Sequence, residues 1–191
     1  MSGQGENNQS IESLVQELED LCESDALSLH ALREKTNQIP PSSGAIIQSS
    51  SFLHRACMNE RVTLAIIECI LDAFPKVSCV TTMFFCPDGE TTSYPIHLAC
   101  SNESYPASAI ELLMKKNPLA LSHLCVIDEG VDAFDYYDDY VKGLPLHYYL
   151  MRESNIDLDA VKMLVEAYPE ALTTCDDVTR ITPIHTLVCN P

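Results

Sequence analysis

Apolar residues along this chain recur mostly at helical spacing. Residues 11–22 place Ile11, Leu14, Val15, Leu18, Leu21 and Cys22 on one face, the pattern of a helix half sunk in a core. Residues 62–73 carry Ile66, Ile67, Ile70 and Leu71 at that spacing; residues 107–116 carry Ile110, Leu113 and Met114, and residues 158–168 carry Val161, Leu164 and Val165. These three segments run into Pro75, Pro118 and Pro169. The residue before a proline avoids the helical region, so each helix is predicted to stop there. Residues 25–36 read as a further helix. Within 78–94, Val80–Phe85 favours a strand and Pro87-Asp88-Gly89 is a turn signal, which predicts a hairpin finger. Residues 1–9 are small and polar and predict disorder. Residues 37–51, rich in Pro, Ser and Gly, predict a linker or loop.

The helical segments are copies of one another. A short phrase occurs four times: Phe52-Leu53-His54, Pro95-Ile96-His97, Pro145-Leu146-His147 and Pro183-Ile184-His185. The first two continue to Ala56-Cys57 and Ala99-Cys100. From the motif His to the later Pro there are 21, 21 and 22 residues. Ile67, Ile110 and Val161 fall in one column, Ile70, Leu113 and Leu164 in another, and Val77, Ala120 and Ala171 in a third. Proline fixes φ near the helical value and lacks an N–H that the first turn would leave unpaired, so Pro95, Pro145 and Pro183 suit helix starts. Phe52 in place of Pro weakens the first start, and Ser93 and Thr182 are candidate caps. Each unit is thus a short helix and then a longer one. Such a unit cannot bury its apolar face alone and is stabilised by stacking on its neighbours.

The Pro-Ile/Leu-His phrase opening a short helix, followed by a second helix rich in Leu and Ile, resembles the ankyrin repeat, whose signature is T-P-L-H-x-A. Thr182-Pro183-Ile184-His185 matches its opening and Pro95-Ile96-His97-Leu98-Ala99 its body. The ending Met163-Leu164-Val165-Glu166-Ala167-Tyr168-Pro169-Glu170-Ala171-Leu172 looks like a divergent subtype known mainly from algal and protist proteins. The resemblance covers residues 50–191. It implies an all-α fold, an ankyrin-like helical repeat solenoid with hairpin or finger insertions between repeats. The units would be 51–92, 93–142, 143–180 and a partial 181–191, behind a disordered 1–9 and an N-terminal helical cap or degenerate repeat plus linker at 10–50. It also implies a structural role for His54, His97, His147 and His185, bonded to backbone near the repeat turn, alongside Pro95, Pro145 and Pro183. The chain departs from the family in three ways. Motif spacings are 43, 50 and 38 residues; the glycine that ends the first helix is missing from all three complete units; and Tyr148-Tyr149-Leu150 stands where Ala is expected.

The charge balance narrows the partners. With 28 acidic against 11 basic residues and a net charge of −17, the chain repels nucleic-acid phosphates and anionic membrane surfaces. A basic protein surface is the complementary partner. No run of 18 apolar residues is present, and MSGQGENNQS lacks the features of a secretory signal. Nine cysteines, an odd number without an export signal, point to reduced thiols and a cytoplasmic or nuclear setting. Cys57, Cys69 and Cys100 fall in helical core columns, where a thiol acts as a small hydrophobe. Cys79 and Cys86 flank a turn segment, which leaves a disulfide or metal role open there; no CxxC pair supports zinc.

Candidate chemistry concentrates in the second insertion, residues 122–144. It mixes Asp128, Glu129, Asp132, Asp135, Asp138 and Asp139 with Phe134, Tyr136, Tyr137 and Tyr140. Two readings stand: a solvated loop that keeps the chain soluble, or a contact for a cationic protein in which carboxylates steer and tyrosines anchor. Tyr136, Tyr137 and Tyr140 are also candidate phosphorylation sites. Nucleophile-elbow, P-loop and H-E-x-x-H motifs are absent, as is calcium-loop spacing. No catalytic residue, metal site or cofactor is therefore expected. The expected function is a monomeric, non-catalytic protein-interaction module that binds through a concave face and the acidic-aromatic loop. The alternative is the recognition fragment of a larger multidomain enzyme or signalling protein. The sequon at Asn102-Glu103-Ser104 reads as accidental, and His30 and His123 fall outside the repeat and have no assigned role.

Overall fold

Pro95, Pro145 and Pro183 each stand first in a helix, as their fixed φ favours: α6 (Pro95–Ser101), α8 (Pro145–Leu150) and α10 (Pro183–Cys189). Phe52 opens the equivalent α4 (Phe52–Met58) without that help. It is fully buried instead, edge-on to Phe74 with ring centroids 5.3 Å apart. The longer helices are α5 (Leu64–Ala73), α7 (Ala107–Lys116) and α9 (Leu158–Ala167). Each runs through one further residue into Pro75, Pro118 or Pro169, and a 3₁₀ turn follows at Val77–Cys79, Pro118–Ser122 and Pro169–Thr173. The helix predicted from residue 62 starts at Leu64 because Thr63 acts as its cap, accepting the Ile66 N–H at 3.3 Å. The N-terminal part forms α1 (Gly3–Glu23), α2 (Leu29–Thr36) and α3 (Gly44–Gln48). This computed structural model describes the backbone of residues 3–40, 43–86, 89–126, 142–175 and 180–189.

Two expectations are corrected here. Residues 3–9 continue α1 and are not disordered; extending an existing helix costs far less than nucleating one. The segment 37–51 is not all loop, since Ala45, Ile46 and Ile47 form the short helix α3, which packs on α1.

The helices lie in two rows. In the first, α1 packs on α4, α4 on α6, α6 on α8 and α8 on α10. In the second, α2 packs on α5, α5 on α7 and α7 on α9, and each short helix also touches the longer one that follows it. One apolar core runs between the rows, with Leu18, Leu32, Phe52, Leu53, Ile67, Ile70, Ile110, Leu113 and Tyr149 almost wholly buried. Each such aliphatic side chain contributes about 1.5–3 kcal/mol over exposure. The chain is thus mostly helical. Two antiparallel hairpins are added at the insertions: β1 (Thr82–Cys86) with β2 (Gly89–Ser93), and β3 (Cys125–Val126) with β4 (Lys142–Gly143). The first is the finger predicted within 78–94. Among the described residues no helix is long and apolar enough to cross a membrane.

Candidate functional site

The motif histidines sit at the junctions between successive helices of the first row. His54, His97 and His147 are buried, the last two completely. Each stands at the third position of its helix, within reach of the N–H at the helix start. The Nδ1 of His97 accepts the Tyr94 N–H at 3.2 Å, and that of His147 accepts the Leu144 N–H at 3.1 Å. An Nδ1 that accepts leaves the proton on Nε2, which donates to a backbone carbonyl further along the chain. His54 donates to Ser93 O at 3.1 Å, His97 to His123 O at 2.8 Å and His147 to Ile181 O at 3.2 Å. His97 and His147 thus close their own helix starts, and all three imidazoles hold the strand or turn beyond. Burial pushes the His54 and His97 imidazoles down to about 4, so both are neutral near pH 7. His185 makes the local contact, with the Thr182 N–H 3.4 Å and hydroxyl 2.7 Å from its Nδ1, but lies exposed on α10. Of the two expected caps, Ser93 has a buried hydroxyl with no hydrogen-bond partner; it stands one residue before the capping position of its helix, which Tyr94 occupies.

His54 departs from the pattern: its buried Nδ1 has no partner. The N–H it would have accepted, that of Ser51, donates to Glu19 Oε1 of α1 at 2.5 Å, and the Ser51 hydroxyl donates to the same oxygen at 3.0 Å. Glu19 stands three residues before Cys22, as His54 stands three before Cys57 and His97 three before Cys100. Leu29, Leu64 and Ala107 each follow those cysteines by seven residues. The pair α1–α2 therefore repeats the pattern of the later pairs with a carboxylate in the histidine position. Glu19 and Glu23 also pair with Arg55. Glu19→Ala is expected to lower stability by about 1–2 kcal/mol in urea denaturation and to speed hydrogen exchange at the Ser51 amide. Unchanged exchange there would count against its capping role.

A second set of contacts crosses the same junctions two residues after the cysteine column. The Asn59 amide donates to Cys22 O at 3.0 Å and Ser24 O at 2.9 Å, and the Asn102 amide to Cys57 O at 2.8 Å and Asn59 O at 3.3 Å. At the third junction Arg152 takes the place of Asn. Its Nε donates to Cys100 O and its Nη2 to Ala99 O, both at 2.8 Å, and its guanidinium lies 4.2 Å from the centre of the Tyr149 ring. These side chains bind carbonyls at the C-terminal ends of the preceding helices, which have no intrahelical partner. The Asn102 amide is thus committed within the fold. Cys22, Cys57 and Cys100 are buried, and burial pushes their thiols up to about 12, which leaves them protonated and unreactive. Cys69 is only partly buried and Cys79 is exposed; both carry free thiols. The Cys86 side chain lies outside the described residues.

The tyrosines that broke the repeat pattern have roles in the third unit. The Tyr148 hydroxyl donates to Cys125 O at 2.5 Å and lies 3.4 Å from the Gly143 N–H, so it clamps both strands at the base of the second finger. The Tyr149 hydroxyl accepts the Asp157 N–H at 3.1 Å just ahead of α9. His30 is exposed and lies 3.8 Å from Glu34 on the same helix. His123 stands where the two fingers meet. Its Nε2 donates to Thr92 O at 2.8 Å, and its ring meets the Tyr94 ring edge-on at 5.1 Å. Position in the repeat could have indicated Glu19, Asn59, Asn102 and Arg152; nothing local singles out His123.

The candidate partner-binding residues Asp128, Glu129, Asp132, Phe134, Asp135, Tyr136, Tyr137, Asp138, Asp139 and Tyr140 all lie outside the described residues. Only the base of their finger, β3 and β4, is described. Among the described residues no three His, Cys, Asp or Glu side chains are grouped to hold a metal ion. The chain matches no protein-family model, no curated protein and no solved structure.

Proposed function

We propose that this chain is an ankyrin-like repeat solenoid and serves as a non-catalytic protein-interaction module. On this reading it presents its two fingers, 78–94 and 122–144, and the concave face beside them to a basic partner. The observation that carries the proposal is the recurrence of one junction. A helix-start imidazole reaches forward to the next segment and a side-chain donor reaches back to the previous helix, with Glu19 and Arg152 as substitutes at single positions. A scaffold that invests its buried polar groups in joining neighbouring units leaves recognition to its faces and insertions. The finger bases lie side by side, β2 against β3, so both insertions emerge at one place. A net charge of −17 and the acidic-aromatic composition of 128–140 favour a cationic protein surface.

Deleting residues 128–141 tests the proposal. The deletion is expected to reduce capture of basic partner proteins in a pull-down by tenfold or more, on the order of losing one or two interface anchors, with the far-ultraviolet helical signal preserved. Equal capture by the deleted chain would reject the loop's role.

A further inference from the structure

We infer that the bases of the two fingers, residues 89–93 and 123–126, form a single jointed platform coupled through the side chain of His123, so that ordering one base orders the other. The inference rests on the interaction reading above only for its functional consequence, since the coupling itself is a property of the free chain.

The fingers are separate in sequence. Thr92, in the last strand of the first, and His123, just ahead of the second, are 31 residues apart. Three imidazoles and one phenol join them. His54 holds Ser93 O at 3.1 Å from beneath the first finger. The His123 Nε2 reaches the neighbouring carbonyl, Thr92 O, at 2.8 Å and lies 3.1 Å from the Thr92 hydroxyl. The His123 carbonyl in turn accepts the His97 Nε2–H at 2.8 Å. The His97 ring lies edge-on to those of His123 and Tyr148, at 5.9 and 6.2 Å. Tyr148 then holds the carbonyl of Cys125 and lies against the N–H of Gly143.

The His54 contact anchors the base of the first finger to the helices, the His97 and Tyr148 contacts anchor the base of the second, and the His147 contact holds the turn at the following junction. His123 differs because its ring is the part of this network that bridges one insertion to the other. It lies outside the repeat motif, and neither helix formation nor the stacking of α6 on α8 requires an imidazole there. Its geometry serves the fingers: a half-buried ring wedged against Tyr94, with its N–H on the backbone of the neighbouring insertion. A contact shared by both finger bases links their local opening equilibria. A partner that stabilises either one then lowers the entropic cost of engaging the other.

Hydrogen exchange on the full free chain tests this. His123→Ala is expected to speed exchange at amides of 89–93 and of 124–126 together, by on the order of tenfold, while core amides of α5 and α7 stay unchanged. His123→Gln places an N–H near the position of Nε2 and is expected to restore protection in both segments. Thr92→Val deletes only the hydroxyl contact and is expected to shift both segments in the same direction by less. Acceleration confined to 124–126, no acceleration at all, or no rescue by glutamine would each overturn the inference. No partner is present in this experiment. Its failure would leave the pull-down result standing, and a negative pull-down would leave the coupling standing.

Discussion

Lowering the pH from 7.5 to 5 is expected to destabilise the fold by about 4 kcal/mol, roughly 2 kcal/mol for each of His54 and His97. Both imidazoles are pushed from 6.5 down to about 4, chiefly by burial. Backbone acceptors oppose the shift in both cases, and His123 and His54 facing His97 reinforce it slightly. A group whose folded value lies below its unfolded value binds fewer protons when folded. Its stabilising contribution is therefore fully present above pH 6.5, declines as the pH falls through the window, and is gone below about 4. The structural reason is specific. A proton on the His97 Nδ1 would displace the Tyr94 N–H that it now accepts and would have only the Tyr94 carbonyl, 3.3 Å away, as acceptor, and a proton on the His54 Nδ1 would be a buried donor with no acceptor. The upper part of the window lies above ordinary carboxylate titration, so relief of the −17 net charge does not mask the effect there. Urea denaturation at half-unit steps between pH 7.5 and 5 measures it. A domain of ordinary stability, roughly 5–15 kcal/mol, would lose a large fraction. A midpoint independent of pH over that range would mean the two imidazoles are not held dry in the junctions.

Arg152→Ala is expected to cost about 3 kcal/mol, the largest effect of a single substitution outside the apolar core. Two buried carbonyls, Cys100 O and Ala99 O, would lose charge-assisted donors, and the Tyr149 ring would lose the cation above it. Arg152→Asn provides an internal comparison, because asparagine performs the same task at positions 59 and 102. It is expected to recover most of the loss and to leave a deficit of about 1 kcal/mol from the missing guanidinium–ring contact. Urea midpoints of the two variants read out the difference. If alanine costs no more than an ordinary surface change, or if asparagine is no better than alanine, the equivalence of the three junctions fails.

Much of the helical layout was legible because its causes are local. Pro95, Pro145 and Pro183 begin helices, and Pro75, Pro118 and Pro169 end them, through the fixed ring and its clash with the preceding residue. Columns such as Ile67 with Ile110 are buried as their spacing implied. The N-terminal unit was harder to read because Glu19 replaces histidine and no proline opens α1, so two helical segments ahead of the first motif were its only sign. Helix α3 was hidden in a segment whose Pro, Ser and Gly content reads as loop, since a five-residue helix depends on packing rather than propensity. Tyr148 and Tyr149 looked like damage to the repeat. They became intelligible only when their hydroxyls were seen on Cys125 O and the Asp157 N–H.

By itself the sequence determined where helices start, stop and turn an oily face inward, and that the same pair of helices recurs. Those properties depend on residues three or four apart and on the stiffness of proline. Tertiary structure alone decided which distant carbonyl each histidine holds, that Glu19 stands in for one of them, and that the His123 ring bridges two insertions 31 residues apart. A backbone group's partner across such a distance is set by how the helices pack, and side-chain reach and burial in that packing are not written in any local pattern.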